Sequence, residues 1–246
     1  MSTHRKSPLS EDWIPSHQCS LDLRLEILGN LPFFNRLPED EIPDINHAFV
    51  ERGYEAGENI YLSGSRGERF YVVADGYVKL TRHTLDGKEI MLDILKQGEF
   101  FGSLAPVKGG TYPETAQTQT PVCTLSIARE DFRDVLETHP KVALEVMDTM
   151  ARRLQEAQER VRQLSAYTVE QRIAYALLKL AEKAGERSDL GRLIQLPLSR
   201  ADLAALTGTT PETASRVMSS LQEEGAVRSG RRWVAVSDED YLASLT

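Results

Sequence analysis

The sequence is short of cysteine. It holds two in 246 residues, Cys19 and Cys123. Cysteines so few and so far apart argue against a disulfide framework and suit a reducing cytoplasm. No apolar run approaches the ~20 residues that cross a bilayer, and no apolar signal core stands at the start. Positive charge is scarce as well: 29 Lys and Arg face 37 Asp and Glu, for a net charge of −8. A chain coated to hold a polyanion would show the reverse. The deficit is uneven, however. From Thr168 onward there are 10 basic against 11 acidic residues, leaving 19 against 26 for the first 167. Any contact with nucleic acid therefore falls to local basic residues in the C-terminal part. There is no Gly-x-Ser-x-Gly nucleophile motif and no His/carboxylate cluster at metal-ligand spacing. The expectation is a protein without enzymatic activity, cofactor or metal, with 41% hydrophobic and 27% charged residues, as in ordinary globular chains.

What is present centres on residues 198–221. Ser199 is placed to cap a helix, with Asp202 three residues on in a variant of the capping box. Leu203, Ala204 and Leu206 give that helix a small apolar face, and Gly208 breaks it. Thr210 caps a second helix and Pro211 stands in its first turn, where a missing N–H costs nothing. Val217, Met218 and Leu221 form its buried face. Glu212, Thr213, Ser215 and Arg216 crowd its start, mostly off the apolar stripe. This is the layout of a helix-turn-helix, whose second helix reads base edges in the major groove with its N-terminal residues. Gly225 closes the helix. Residues 226–236 then read as a short hairpin turning at Ser229-Gly230, flanked by Arg228, Arg231 and Arg232. A basic wing of this kind holds phosphates. Expected DNA contacts are Arg200, Thr209, Thr210, Glu212, Thr213, Ser215, Arg216, Arg231 and Arg232.

The rest of the chain divides by texture. Residues 1–20 carry no apolar periodicity and read as a flexible arm. A helix spans Leu23 to Leu28. From Val50, short β-rich runs alternate with glycines: Asn59–Leu62, Arg69–Val73, Tyr77–Thr81, Ile90–Leu95 and Val122–Ile127. Asp75-Gly76 and Asp86-Gly87 read as hairpin turns. Such a series implies a β-sandwich or jelly roll. A long helix opens at Pro140. Met147, Met150, Leu154, Ala157, Val161 and Leu164 step along it by 3, 4, 3, 4 and 3, a heptad seam for a partner helix. Ser165-Ala166-Tyr167 is the hinge, and Thr168 to Gln171 form a capping box that opens the next helix.

This order resembles the cyclic-AMP receptor protein and fumarate-nitrate regulator (CRP/FNR) family of bacterial transcription factors. The markers are Leu31-Pro32-Phe33-Phe34, residues 37–42 and 70–80, Asp86 to Glu89, Gly98-Glu99-Phe100-Phe101-Gly102, and residues 150–155. The resemblance implies an α+β chain of four parts. These are an arm (1–20), a cyclic-nucleotide-binding-domain-like β jelly roll (21–138), a dimerisation helix with hinge (139–166), and a winged helix-turn-helix (167–246). It also implies double-stranded DNA, a second copy of the chain and RNA polymerase as partners. By resemblance the effector pocket falls at Gly102, Ser103, Leu104, Glu114, Thr115 and Gln158.

The nucleotide contacts of the family are replaced there. Its Gly-Glu pair is Gly102-Ser103, its phosphate-binding Arg-Ser pair is Pro113-Glu114, and its adenine-contacting Thr-Ser pair is Ala157-Gln158. Cyclic AMP is therefore not the expected effector. An oxygen-sensing [4Fe–4S] cluster needs four thiolates, and the chain has two. Glu212 and Arg216 match the family pair that accepts from cytosine and donates to guanine. Two other readings stay open: a cysteine-based redox-responsive regulator, and a sensor protein whose C-terminal hairpin mediates protein contacts.

Overall fold

A computed structural model describes residues 19–103 and 110–246. They form two compact units, one mainly of residues 19–82 and 92–157 and the other of residues 83–91 and 158–246, so that one division falls within a long helix, between Ala157 and Gln158.

The first unit opens with α1 (Leu21–Asn30), N-capped by Ser20, whose Oγ accepts from the Leu23 N–H. A short α2 (Ile42–His47) follows. The strands are β1 (Val50–Tyr54), β2 (Asn59–Tyr61), β3 (Arg69–Asp75), β4 (Val78–His83), β5 (Glu89–Leu95), β6 (Phe100–Gly102), β7 (Thr115–Thr118) and β8 (Val122–Ala128). They make two four-stranded sheets, ordered β1-β8-β3-β6 and β2-β7-β4-β5. Then come α3 (Arg129–Thr138) and the long α4 (Pro140–Ala166).

Strand β3 shows why the fold holds. Successive side chains leave opposite faces of a strand, and both faces of this one are buried. Phe70, Val72 and Ala74 enter a core shared with Ile27 and Leu28 of α1, Phe132 of α3 and Val142 of α4. Tyr71 and Val73 enter the other core, with Val78, Phe101, Ala116 and Val122. A strand covered on both faces reads as a continuous apolar run rather than an alternating one.

Two expectations are corrected in this unit. Asp75-Gly76 is not a hairpin turn, because β3 and β4 belong to different sheets. Gly76 has φ 84°, and an added Cβ would stand 2.3 Å from the Pro121 carbonyl oxygen, so the chain crosses between sheets there with no room for a side chain. Cys19 and Cys123 are joined in a disulfide, with Cα atoms 6.6 Å apart. The fold brings the start of α1 onto β8, and the separation in sequence gave no hint of it. Met150, expected in the seam of α4, is half-buried and packs alongside Val146 against the core of this unit. Of the expected arm only Cys19 and Ser20 are among the described residues.

The second unit begins with α5 (Val169–Ala184), opened by a capping box in which Thr168 and Gln171 satisfy each other's backbone N–H groups. A hairpin of β9 (Gly185–Ser188) and β10 (Gly191–Ile194) follows, then α6 (Arg200–Thr207) and α7 (Pro211–Glu223). The wing is β11 (Val227–Gly230) and β12 (Trp233–Val236), and α8 (Glu239–Ser244) closes the chain. The sheet order is β11-β12-β10-β9. Leu177, Leu203, Met218 and Leu221 lie at the helices' buried faces. The wing turns at Arg231-Arg232, not at Ser229-Gly230: Gly230 pairs with Trp233, and Arg232 takes the left-handed conformation at φ 66°. Gly230 is a strand residue because the Trp233 indole lies over it. An added Cβ would meet Trp233 Nε1 at 2.4 Å.

Candidate nucleic-acid interface and sensor pocket

The helix-turn-helix forms from local signals. Ser199 Oγ accepts from the Asp202 N–H at 3.0 Å, and Asp202 Oδ2 accepts from the Ser199 N–H at 2.9 Å. Gly208 ends α6 in the left-handed region at φ 65°. Thr210 Oγ1 accepts from the Thr213 N–H at 3.3 Å, and Pro211 opens α7. This places Glu212 and Arg216 exposed on the first turns of α7, one helical turn apart and on one face. Arg216 Nη2 donates to Thr213 Oγ1 at 3.3 Å. Hydrogen bonds from its own backbone N–H and from Thr210 hold the Glu212 carboxyl below the usual range, so it is an acceptor at neutral pH. Ser215 is half-buried. Thr209, expected among the contacts, is only 8% exposed because its N–H is tied back to the Ala204 carbonyl within the turn. Arg231 and Arg232 are exposed at the wing tip. Arg200 is half-buried and donates through Nη2 to Ser229 Oγ at 3.0 Å. Sequence reasoning missed Ser229 and Gln222, whose Nε2 donates to the same oxygen at 3.1 Å.

The expected pocket residues are placed as follows. Gly102 has φ 92°, and β6 approaches β3 so closely there that an added Cβ would lie 2.7 Å from the Arg69 carbonyl oxygen. Ser103 is buried, and its N–H donates to that same oxygen at 3.1 Å. Leu104 lies outside the described residues. Thr115 Oγ1 accepts from the Ser63 N–H at 3.0 Å. Glu114 is half-buried and accepts from Tyr61 Oη at 3.0 Å. Burial raises the Glu114 carboxyl above its ordinary pKa against the opposing pull of Tyr61, Arg82 and Arg153. Gln158 is exposed on α4.

Around Glu114 stands an aromatic cluster that the sequence did not announce. Tyr61 and Tyr112 stack at 3.8 Å, and Tyr71 and Phe101 stack at 5.2 Å. The burial that makes this cluster pushes the Tyr71 and Tyr61 hydroxyls up, Tyr61 further through Glu114. Arg153 of α4 lies over the Phe100 ring at 3.7 Å and donates to the Phe100 carbonyl at 2.6 Å. Elsewhere on α4, Met147, Leu154, Ala157, Val161 and Leu164 are exposed, as is Leu144, which lies outside the expected seam.

A jelly roll followed by a long helix and a winged helix-turn-helix defines a class: sensor-type domains coupled to a DNA-binding domain. The comparisons agree along the chain. The cyclic nucleotide-binding domain family matches residues 51–139, and the Crp-like helix-turn-helix domain family matches residues 171–245. The chain is 36% identical over 214 residues to the "Cyclic AMP receptor protein" of Thermus thermophilus, covering 87% of this chain and 96% of the relative. It is 26% identical over 218 residues to the "CRP-like cAMP-activated global transcriptional regulator" of Mycobacterium tuberculosis, covering 89% and 97%. The fold also matches the structure of FixK2 from Bradyrhizobium japonicum with a TM-score of 0.72 at 24% identity, covering 80% and 96%. The chain belongs to the CRP/FNR family of transcription regulators. Among the described residues, no helix is long and apolar enough to cross a membrane.

Proposed function

We propose that the protein is a cytoplasmic, homodimeric, sequence-specific transcription regulator that reads an inverted repeat and does not answer to cyclic AMP. The observation that carries the reading is the exposed Glu212–Arg216 pair on one face at the start of α7. Arg bidentate to guanine O6/N7 and a carboxylate accepting from cytosine N4 are the matching base contacts. Two such helices in a two-fold dimer call for half-sites about one helical turn apart. The apolar seam of α4, from Leu144 through Val161, supports the dimer. Arg200, Thr210, Thr213, Ser215, Arg231 and Arg232 complete the DNA surface, and RNA polymerase is the further partner that promoter binding implies.

The pocket supports the second half of the reading. The Glu114 carboxylate stands where the family's phosphate contact would be, and like charge repels a cyclic phosphate. The Tyr61–Tyr112 and Tyr71–Phe101 stacks fill the interior beside it. Selection of full-length protein on a random duplex pool should enrich an inverted repeat with G·C pairs in each half-site. A pool without two-fold symmetry contradicts the dimer, and an unenriched pool contradicts the function. Calorimetry should give no heat with cyclic AMP, whereas micromolar binding lost on pocket mutation would reverse that part.

A second reading, a cysteine-based redox response, is favoured by the Cys19–Cys123 pair. The bond ties the start of α1 to the core that also receives Val142 and Met150 of α4. A dithiol reductant, itself oxidised to its disulfide, converts the pair to two thiols. If the bond controls the protein, affinity for the selected duplex changes on reduction; equal affinity in both states removes this reading.

A further inference from the structure

We propose that a cavity at one end of the jelly roll, walled by Arg66, Arg69 and Arg129, binds a small phosphorylated polyol of the sugar-phosphate kind. The proposal goes beyond the DNA-binding reading and stands without it. The cavity has a volume of about 520 Å³, and Glu68 and Glu130 also line it. Small-molecule sites run from roughly 300 to 1,000 Å³, so there is more room here than a bare phosphate ion needs. The cavity lies within the first unit, between the start of β3 and the start of α3.

Arg69 is the cation that the fold leaves unbalanced. It is half-buried, and Ser126 fixes it twice: Nε donates to the hydroxyl at 3.1 Å and Nη2 to the carbonyl at 3.0 Å. Both partners are neutral, and among the described residues no carboxylate pairs with it. A guanidinium carries five N–H donors, so the rest are open to a ligand, and a fixed planar fork matches phosphoryl oxygens. Arg129 borders the same space. Its backbone N–H donates to the Glu68 carbonyl at 2.9 Å, which ties α3 to the chain just before β3. The two carboxylates are held loosely. Glu68 pairs with Arg66 at 3.2 Å and Glu130 with Arg129 at 3.3 Å, with the glutamates 61% and 78% exposed. Exposed pairs of this kind are weak and screened, so a dianion can draw both arginines away from them. The carboxylates then remain as acceptors for hydroxyl groups. Three guanidinium groups and two carboxylates on one cavity thus select a molecule with a phosphoryl group at one end and hydroxyls at the other. Tyr112 joins this site to the aromatic cluster. Its hydroxyl accepts from the Arg69 N–H at 3.0 Å and donates to the Arg69 carbonyl at 3.1 Å, while its ring stacks on Tyr61. A ligand that orders Arg69 therefore acts on the residue by which Tyr112 holds β3.

The test is calorimetry on full-length protein, free of DNA, with three probes: ribose 5-phosphate, inorganic phosphate and ribose. Ribose 5-phosphate should bind once per protomer, inorganic phosphate should bind more weakly and compete with it, and ribose should give no heat. Arg69→Gln and Arg129→Gln should each weaken ribose 5-phosphate by about tenfold or more, the loss of one charge-assisted contact. Glu130→Gln should weaken ribose 5-phosphate and leave inorganic phosphate no weaker. Circular dichroism checks that each variant is folded; should Arg69→Gln not fold, Arg129→Gln, altered at the surface of α3, decides alone. No heat with either phosphate overturns the site, and so does wild-type affinity in the arginine variants. Equal affinity for ribose 5-phosphate and inorganic phosphate, or binding of ribose by itself, overturns the phosphorylated polyol as its ligand.

Discussion

Glutamate at both Leu154 and Val161 should take the proposed dimer apart without unfolding the protomer. The two side chains are 60% and 63% exposed in the single chain. Fully burying a leucine or valine gives roughly 1.5–3 kcal/mol, so covering the exposed fraction contributes about 1–2 kcal/mol each. A two-fold dimer carries each position twice, which brings the loss to about 4–7 kcal/mol before any cost of desolvating four carboxylates. At 1.4 kcal/mol per tenfold, the dissociation constant rises by on the order of a thousandfold or more. Sedimentation velocity across a concentration series measures this directly. The thermal midpoint of the separated protomer should move little, because neither side chain is in its own core. A double variant that sediments as a dimer with an unchanged constant would refute the seam and the energetic reasoning together.

Two further predictions concern the sensor domain. Burial raises the Glu114 carboxyl in the folded state. A raised folded pKa means that the protonated form's advantage is complete below the ordinary carboxylate pKa and is lost as pH rises through the raised value. Glu114→Gln, neutral at every pH and still able to accept from Tyr61, should therefore raise the thermal midpoint at pH 7 and bring a smaller gain near pH 4; an equal gain at both would show that charge is not the cause. The Cys19–Cys123 bond closes a span with a sequence separation of 104. Denatured, unreduced protein should titrate no free thiol, and reduction should release both and lower stability by up to about 5 kcal/mol in the chain-entropy picture; two titratable thiols before reduction would remove the bond.

The helix-turn-helix was legible because its signals are local. Ser199, Gly208, Thr210 and Pro211 each act on the backbone within a few residues, so their meaning does not depend on the rest of the chain. The wing turn was misplaced for the converse reason. Gly230 looks like a turn glycine, but it is required by the Trp233 indole three residues on, and an arginine at positive φ, Arg232, carries no compositional signal. Asp75-Gly76 failed as a hairpin because a dipeptide specifies a turn, not which sheet the next strand joins. Heptad spacing puts Met150 with Met147, and it does not show that the first half of α4 also packs on its own core through Val142, Val146 and Met150. The aromatic cluster around Glu114 was hidden because Tyr61, Tyr71, Phe101 and Tyr112 come from separate parts of the chain that only the folded sandwich brings together. The departures at Ser103, Pro113 and Glu114 were readable in sequence, and the surroundings that give Glu114 its raised carboxyl were not.

The central claim is that α7 reads base pairs, and Arg216→Ala tests it most directly. Binding of the variant is compared with wild type across duplexes that differ at the G·C pair assigned to Arg216. The account predicts a loss of about 1–3 kcal/mol per half-site on the preferred duplex and relaxed choice at that one position. Arg231→Ala, at the wing, should weaken every duplex about equally. Wild-type preference retained by Arg216→Ala at that base pair would contradict the recognition-helix assignment.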